Sequence, residues 1–156
     1  MAEPSDRKRR GRVGITITRI FDAPPAKIWK EWTEPASFAD WFGGLDGEVP
    51  LSSVSMDVRE GGTWQLTMFA SPNRTRIDWT GEYLEVVEPK RLVFRVSDQP
   101  GGDDYELVTV VLTDLGDGRT EMLFQQRGHL SADEYERTES GWSSFFDRLA
   151  EQLAEG

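Results

Sequence analysis

An α+β fold, one antiparallel sheet covered on one face by a long C-terminal helix, is what this sequence predicts. Three observations carry the prediction. Tyr135, Thr138, Trp142, Phe145, Phe146, Leu149 and Leu153 recur at steps of three and four, one stripe of a 3.6-residue helix. Six runs of alternating apolar residues precede them, linked by short turns, which favours antiparallel pairing. A first strand and two short, proline-started helices open the chain. An amphipathic helix of roughly 34 Å needs a large apolar partner, and the sheet is the only candidate.

In order along the chain, Val13, Ile15, Ile17, Arg19 and Phe21 alternate with Gly14, Thr16, Thr18 and Ile20 as the first strand. Asp22-Ala-Pro-Pro stops it, with Pro25 suited to a first helical turn and Asp22 a candidate for the cap. Ala26 to Thr33 is a short helix with Ile28, Trp29 and Trp32 inward. Pro35 starts a second, through Phe38, Trp41 and Phe42, and Gly43-Gly44 ends it. Val54, Met56 and Val58 alternate before the Arg59-Glu60-Gly61-Gly62 turn, and Trp64, Leu66 and Met68 alternate on the return. Ser71-Pro72-Asn73 is a turn. Ile77 to Val87 and Leu92 to Val96 are strands joined by Glu88-Pro89-Lys90, and Pro100 to Asp104 is a looser loop. Val108, Val110 and Leu112 pair with Met122, Phe124 and Gln126 across Gly116-Asp117-Gly118. Ser131 and Glu134 form a capping box that starts the last helix.

Composition narrows the classes of function. The 156 residues suffice for one domain with a real core, and 37% hydrophobic with 29% charged residues fits an ordinary soluble domain. No run approaches the ~18 apolar residues that span a bilayer. The start, MAEPSDRKRRGR, is basic without an apolar segment behind it, so it does not read as a secretory signal. With no cysteine there is no disulfide, thiolate metal site or thiol catalysis, which fits a reducing cytoplasm. A net charge of -10 argues against a nucleic-acid-binding body. Residues 1–12, with Arg7, Lys8, Arg9, Arg10 and Arg12, read as a disordered, solvated arm, and 13–154 as a single domain.

Thr18-Arg-Ile-Phe-Asp-Ala-Pro-Pro-Ala-Lys-Ile-Trp, then Trp32-Thr-Glu-Pro and Trp41, resembles the opening of the START/Bet v 1-like superfamily. The closer resemblance is to its branch similar to the activator of Hsp90 ATPase. Met56-Asp-Val-Arg-Glu-Gly-Gly-Thr-Trp, Gly81-Glu-Tyr-Leu-Glu-Val-Val-Glu-Pro-Lys-Arg-Leu-Val-Phe, and Gly141-Trp142 with Leu149 continue it, over about residues 13 to 153. The resemblance implies a helix-grip fold: a seven-stranded antiparallel sheet around the C-terminal helix, with a hydrophobic cavity between them. It implies several functions, among them lipid or hormone carriage, polyketide cyclisation, hydrolysis, co-chaperone work and antibiotic self-resistance, so fold does not set function.

Sequestration of a hydrophobic, aromatic or polyketide-like small molecule is the leading expectation, without cofactor, metal, nucleic acid or membrane insertion. A cyclase or hydrolase in the same cavity and an Hsp90-type co-chaperone module are the alternatives. Trp41, Trp64, Leu66, Met68, Phe94, Val110, Phe124, Trp142, Phe145 and Leu149 are the expected lining, some of them packing only against each other. Gln126, by its strand parity, and Tyr135 and Thr138, on the helix stripe, are the expected polar groups. An empty pocket of ~300 Å³ would cost about 7 kcal/mol, so the aromatic load also allows a closed one. His129, the single histidine, is the one candidate acid–base group, set against an ordinary loop position. A triad of Ser131, His129 and Asp133 lacks any element that orients the serine. Asp103-Asp104 reads as a solvated loop, and no metal-ligand spacing is present. Gly141, inside the helix, marks close approach by either a strand or a ligand.

Overall fold

The computed structural model describes residues 14–99, 102 and 104–155. The basic arm, Val13 and most of the loop at 100–103 lie outside the described residues. The elements are β1 (Gly14–Phe21), α1 (Pro25–Thr33), α2 (Pro35–Trp41), a 3-10 turn (Leu51–Ser53), β2 (Ser55–Met56), β3 (Thr63–Ala70), β4 (Thr75–Val87), β5 (Arg91–Val96), β6 (Glu106–Asp114), β7 (Thr120–Arg127) and α3 (Ala132–Glu155). The strands form one antiparallel sheet in the order β1-β7-β6-β5-β4-β3-β2. This is the α+β helix-grip arrangement that the sequence predicts.

Register follows the apolar pattern. Val108, Val110 and Leu112 stand opposite Gln126, Phe124 and Met122, and all six are buried. Gly116 and Gly118 both take φ of +86° in the hairpin between them, a backbone state that L side chains resist. The 13-residue β4 pairs with β3 through its first part and with β5 through its last. A register shift between Tyr83 and Glu85 bends it. Gly81, two residues before the shift, is needed because a Cβ there would meet the Arg95 carbonyl and the Trp64 indole. The Trp64 Nε1–H donates to that same carbonyl at 3.1 Å.

The ends of α3 and α1 differ in kind. In α3 the capping box is reciprocal: Glu134 N–H donates to Ser131 Oγ at 3.2 Å, and Ser131 N–H to Glu134 Oε1 at 3.1 Å. In α1, Pro25 occupies the first turn, but Asp22 is not the cap. Pro24 is the N-cap residue, without a side-chain bond, and its carbonyl takes the N–H of Lys27 and of Ile28. The strand expected through Val54, Met56 and Val58 shrinks to Ser55–Met56. Ser53 Oγ intercepts the Thr67 N–H at 3.1 Å, a donor that a longer β2 would need.

The core lies between the sheet, α1, α2 and the C-terminal half of α3. Trp32, 1% exposed, is its centre. The rings of Phe38, Trp41, Phe94, Phe124, Trp142 and Phe146 lie with centroids 4.8–6.4 Å from it. Trp41 is held by its Nε1–H donating to the Glu31 carbonyl at 2.9 Å. The aromatic load of the early chain therefore fills this end of the grip.

Candidate functional site

The other end of the grip remains open. There β5 ends, β6 begins and β7 ends, beneath the first three turns of α3. A cavity of about 410 Å³ occupies the gap. Phe42, Trp79, Val96, Leu130, Trp142 and Phe145 form its apolar wall. Glu106 and Gln126 form a buried polar floor, 6% and 3% exposed. Exposed residues, among them Asp98, Gln99, Asp104, His129 and Arg137, rim the mouth.

The floor can be built donor by donor. An indole N–H only donates, so the 2.7 Å contact from Trp142 Nε1 identifies the carbonyl oxygen of Gln126. The Gln126 amide nitrogen then faces Glu106 and donates to its Oε1 at 3.1 Å. The Tyr135 hydroxyl donates to the same oxygen at 2.7 Å. The other oxygen, Oε2, accepts the His129 backbone N–H at 2.8 Å and lies 2.9 Å from His129 Nδ1. Two of these donors come from an amide nitrogen and a peptide nitrogen, which cannot accept, so four groups converge on one carboxylate. Gly128 lets them converge, because a Cβ there would run into the Glu106 carboxyl. Burial, the hydrogen bond to Glu106 and the charge of Glu106 push the Tyr135 phenol up to about 12.

Of the residues expected to line a cavity, Gln126, Thr138, Trp142 and Phe145 do. Thr138 and Phe145 are half-buried, at the edge of the helix stripe that faces the opening. Tyr135 is fully buried behind the floor and meets the cavity through Glu106. Trp41, Trp64, Leu66, Met68, Phe94, Val110, Phe124 and Leu149 sit in the core instead and are not on the cavity wall. The reason is volume: Trp41, Phe94 and Phe124 are themselves ring neighbours of Trp32, and the others belong to the same continuous buried cluster, which leaves no space at that end. His129 does reach the cavity, with its side chain 48% exposed. Ser131 Oγ is engaged in the helix cap. Gly141 lines the cavity and has nothing within 4 Å of a built Cβ, so no strand packs on it.

Glu106 is the residue that sequence reasoning missed. Its signal is parity: it lies two residues before Val108 on the inward face of β6, where a carboxylate requires partners. Trp79 is a second, with an indole Nε1–H that lacks a hydrogen-bond partner among the described residues. Among the described residues no group of three or more His, Cys, Asp or Glu is placed to hold a metal ion. Among the described residues no helix is long and apolar enough to cross a membrane.

A family model described as "Activator of Hsp90 ATPase homolog 1-like protein" matches residues 22–154. The chain belongs to this family. Solved structures share its fold at low identity. Protein CV1439 from Chromobacterium violaceum is 24% identical with a TM-score of 0.79, over 90% of this chain and 96% of that one. The AHSA1 protein SPO3351 from Silicibacter pomeroyi is 21% identical with a TM-score of 0.78, over 90% and 97%. Protein Ms6760 from Mycobacterium smegmatis is 22% identical with a TM-score of 0.77, over 92% of each chain. Comparison with curated protein sequences finds no match. Within the activator-like family, this chain thus combines a ring-filled core with an open, amphipathic cavity at the start of its last helix.

Proposed function

We propose that this protein binds a small molecule with an apolar, aromatic body and a polar edge in the cavity beneath α3. The carrying observation is the pairing of an aromatic wall with a buried polar floor whose groups already hold one another in place. A volume of about 410 Å³ falls within the ~300–1,000 Å³ of small-molecule sites. Trp79, Trp142 and Phe145 offer ring faces and edges to a planar ligand. Gln126, with one amide N–H beyond the one it gives to Glu106, sets which edge of it points inward. Aromatic polyketide-like molecules meet this description, whereas a fully apolar acyl chain offers nothing to the second amide N–H of Gln126.

Titration with a panel of aromatic polyketide-like and lipid-like compounds tests this. A binder quenches tryptophan emission saturably and, at a hundredfold excess over Kd, adds about 2.7 kcal/mol of stability. Thr138→Trp, which fills the cavity from the helix side, abolishes both signals while the protein stays folded. Equal binding by Thr138→Trp, or a panel that moves neither signal, would sink the proposal.

A further inference from the structure

We infer that Glu106 and His129 form a proton-transfer dyad, with His129 Nε2 as the general base for a weakly acidic C–H of the bound molecule. The inference rests on ligand binding in the same cavity and adds chemistry to it. Every acceptor position of Glu106 is committed: Oε1 to Tyr135 and Gln126, Oε2 to the peptide N–H and Nδ1 of His129. The contact to Nδ1 is 2.9 Å, and a carboxylate only accepts, so the imidazole proton resides on Nδ1. The lone pair of the neutral ring is therefore on Nε2, on a side chain that lines the cavity and is half-exposed.

The dyad is built rather than incidental. Trp142 orients Gln126, Gln126 and Tyr135 hold one oxygen of Glu106, and Gly128 clears the approach to the other. Glu106 is a positioning residue, and His129 is the group that would touch the ligand. Simple proton removal suits the surroundings better than acyl transfer. Among the described residues no side-chain hydroxyl is hydrogen-bonded to His129, so no nucleophile is activated. In the step, the ligand C–H bond breaks and its proton passes to Nε2. The electron pair stays on the ligand as a delocalised carbanion, and Nε2 returns the proton to another ligand atom. The product is an isomer, no co-reactant is consumed, and Glu106 balances the transient imidazolium.

A nitrobenzisoxazole is a suitable probe for the intact protein. When a base takes its ring C–H proton, that electron pair forms a nitrile, the N–O bond breaks, and a coloured phenolate departs. Saturable turnover is expected, with kcat lowered about 100-fold in His129→Ala and KM nearly unchanged. Added imidazole restores turnover in that variant. Glu106→Gln keeps the side chain's shape but removes the negative charge that faces the transient imidazolium. It is expected to lower kcat about 10-fold, with KM again nearly unchanged. A role confined to anchoring the loop would shift stability without that split between kcat and KM. If the probe binds, quenching tryptophan emission, but turns over no faster than with free imidazole, or if His129→Ala is as active as the parent, the dyad is refuted and the binding site stands. If the probe does not bind while members of the aromatic panel do, the dyad is refuted and the binding site stands; if neither the probe nor the panel binds, both readings fail.

Discussion

Tyr135 shows how one side chain ties the floor of the cavity to stability. It is fully buried, and its hydroxyl donates to Glu106 at 2.7 Å. Tyr135→Phe should cost about 1–2 kcal/mol, because a buried carboxylate oxygen loses one of its donors. The phenol ionises near 10 when unfolded and is pushed up to about 12 in the fold. Between those values the folded state holds more protons, so stability falls as pH rises from 10 to 12. Chemical denaturation across that range should show the slope in the parent and a flatter line in Tyr135→Phe. At this level the sequence was half legible. Gln126 could be read because it shares parity with Met122 and Phe124. Glu106 shares parity with Val108, but its four donors come from residues 20 to 29 positions away, which no local pattern reveals.

Among the elements, α3 was legible nearly to its ends, because a capping box and a 3.6-residue stripe are local properties. The Gly116-Asp117-Gly118 hairpin was legible for the same reason. What the stripe could not tell was which of its residues meet rings and which meet space. Tyr135, Trp142, Phe146, Leu149 and Leu153 are buried, whereas Thr138, Gly141 and Phe145 face the opening. Gly141 follows from this: with open space at its Cβ position, Gly141→Ala should stabilise the helix by about 0.5–1 kcal/mol. The same methyl group enters the cavity, so ligand affinity should fall as the melting temperature rises. A differential scanning experiment paired with the binding titration checks both, and a loss of stability would contradict the open space. β2 was less legible, since the hydroxyl of Ser53 competes for its partner strand from outside the alternating run.

Long-range polar contacts complete the closure of the helices against one another. Lys27 Nζ donates to the Leu153 carbonyl at 3.1 Å, and Gln152 Nε2 donates to Glu31 Oε2 at 2.8 Å and to the Ser37 carbonyl at 3.0 Å. Glu31 is 7% exposed. Burial raises its pKa above the ordinary carboxylate value, with the Gln152 hydrogen bond opposing. The folded state thus holds this proton more tightly than the unfolded one. The stabilising effect is complete below the unfolded pKa and is lost as pH rises through the folded pKa. Glu31→Gln, which can still accept from Gln152, should therefore be more stable than the parent at neutral pH by about 0.5 kcal/mol. That advantage should shrink toward acid pH, and melts run from pH 4 to 8 check it. Apart from the extent of β2, the sequence by itself determined the strands, the helices, their order and the side of each that turns inward, because periodicity, caps and turn residues act over a few positions. Only the tertiary structure decided where the empty space lies. Trp32 gathers six rings from α2, the sheet and α3 and fills one end of the grip, and close packing of such rings depends on distances that no run of letters contains. The cavity is what remains at the other end, and there Glu106, unremarkable as a letter, becomes the residue on which the site is centred.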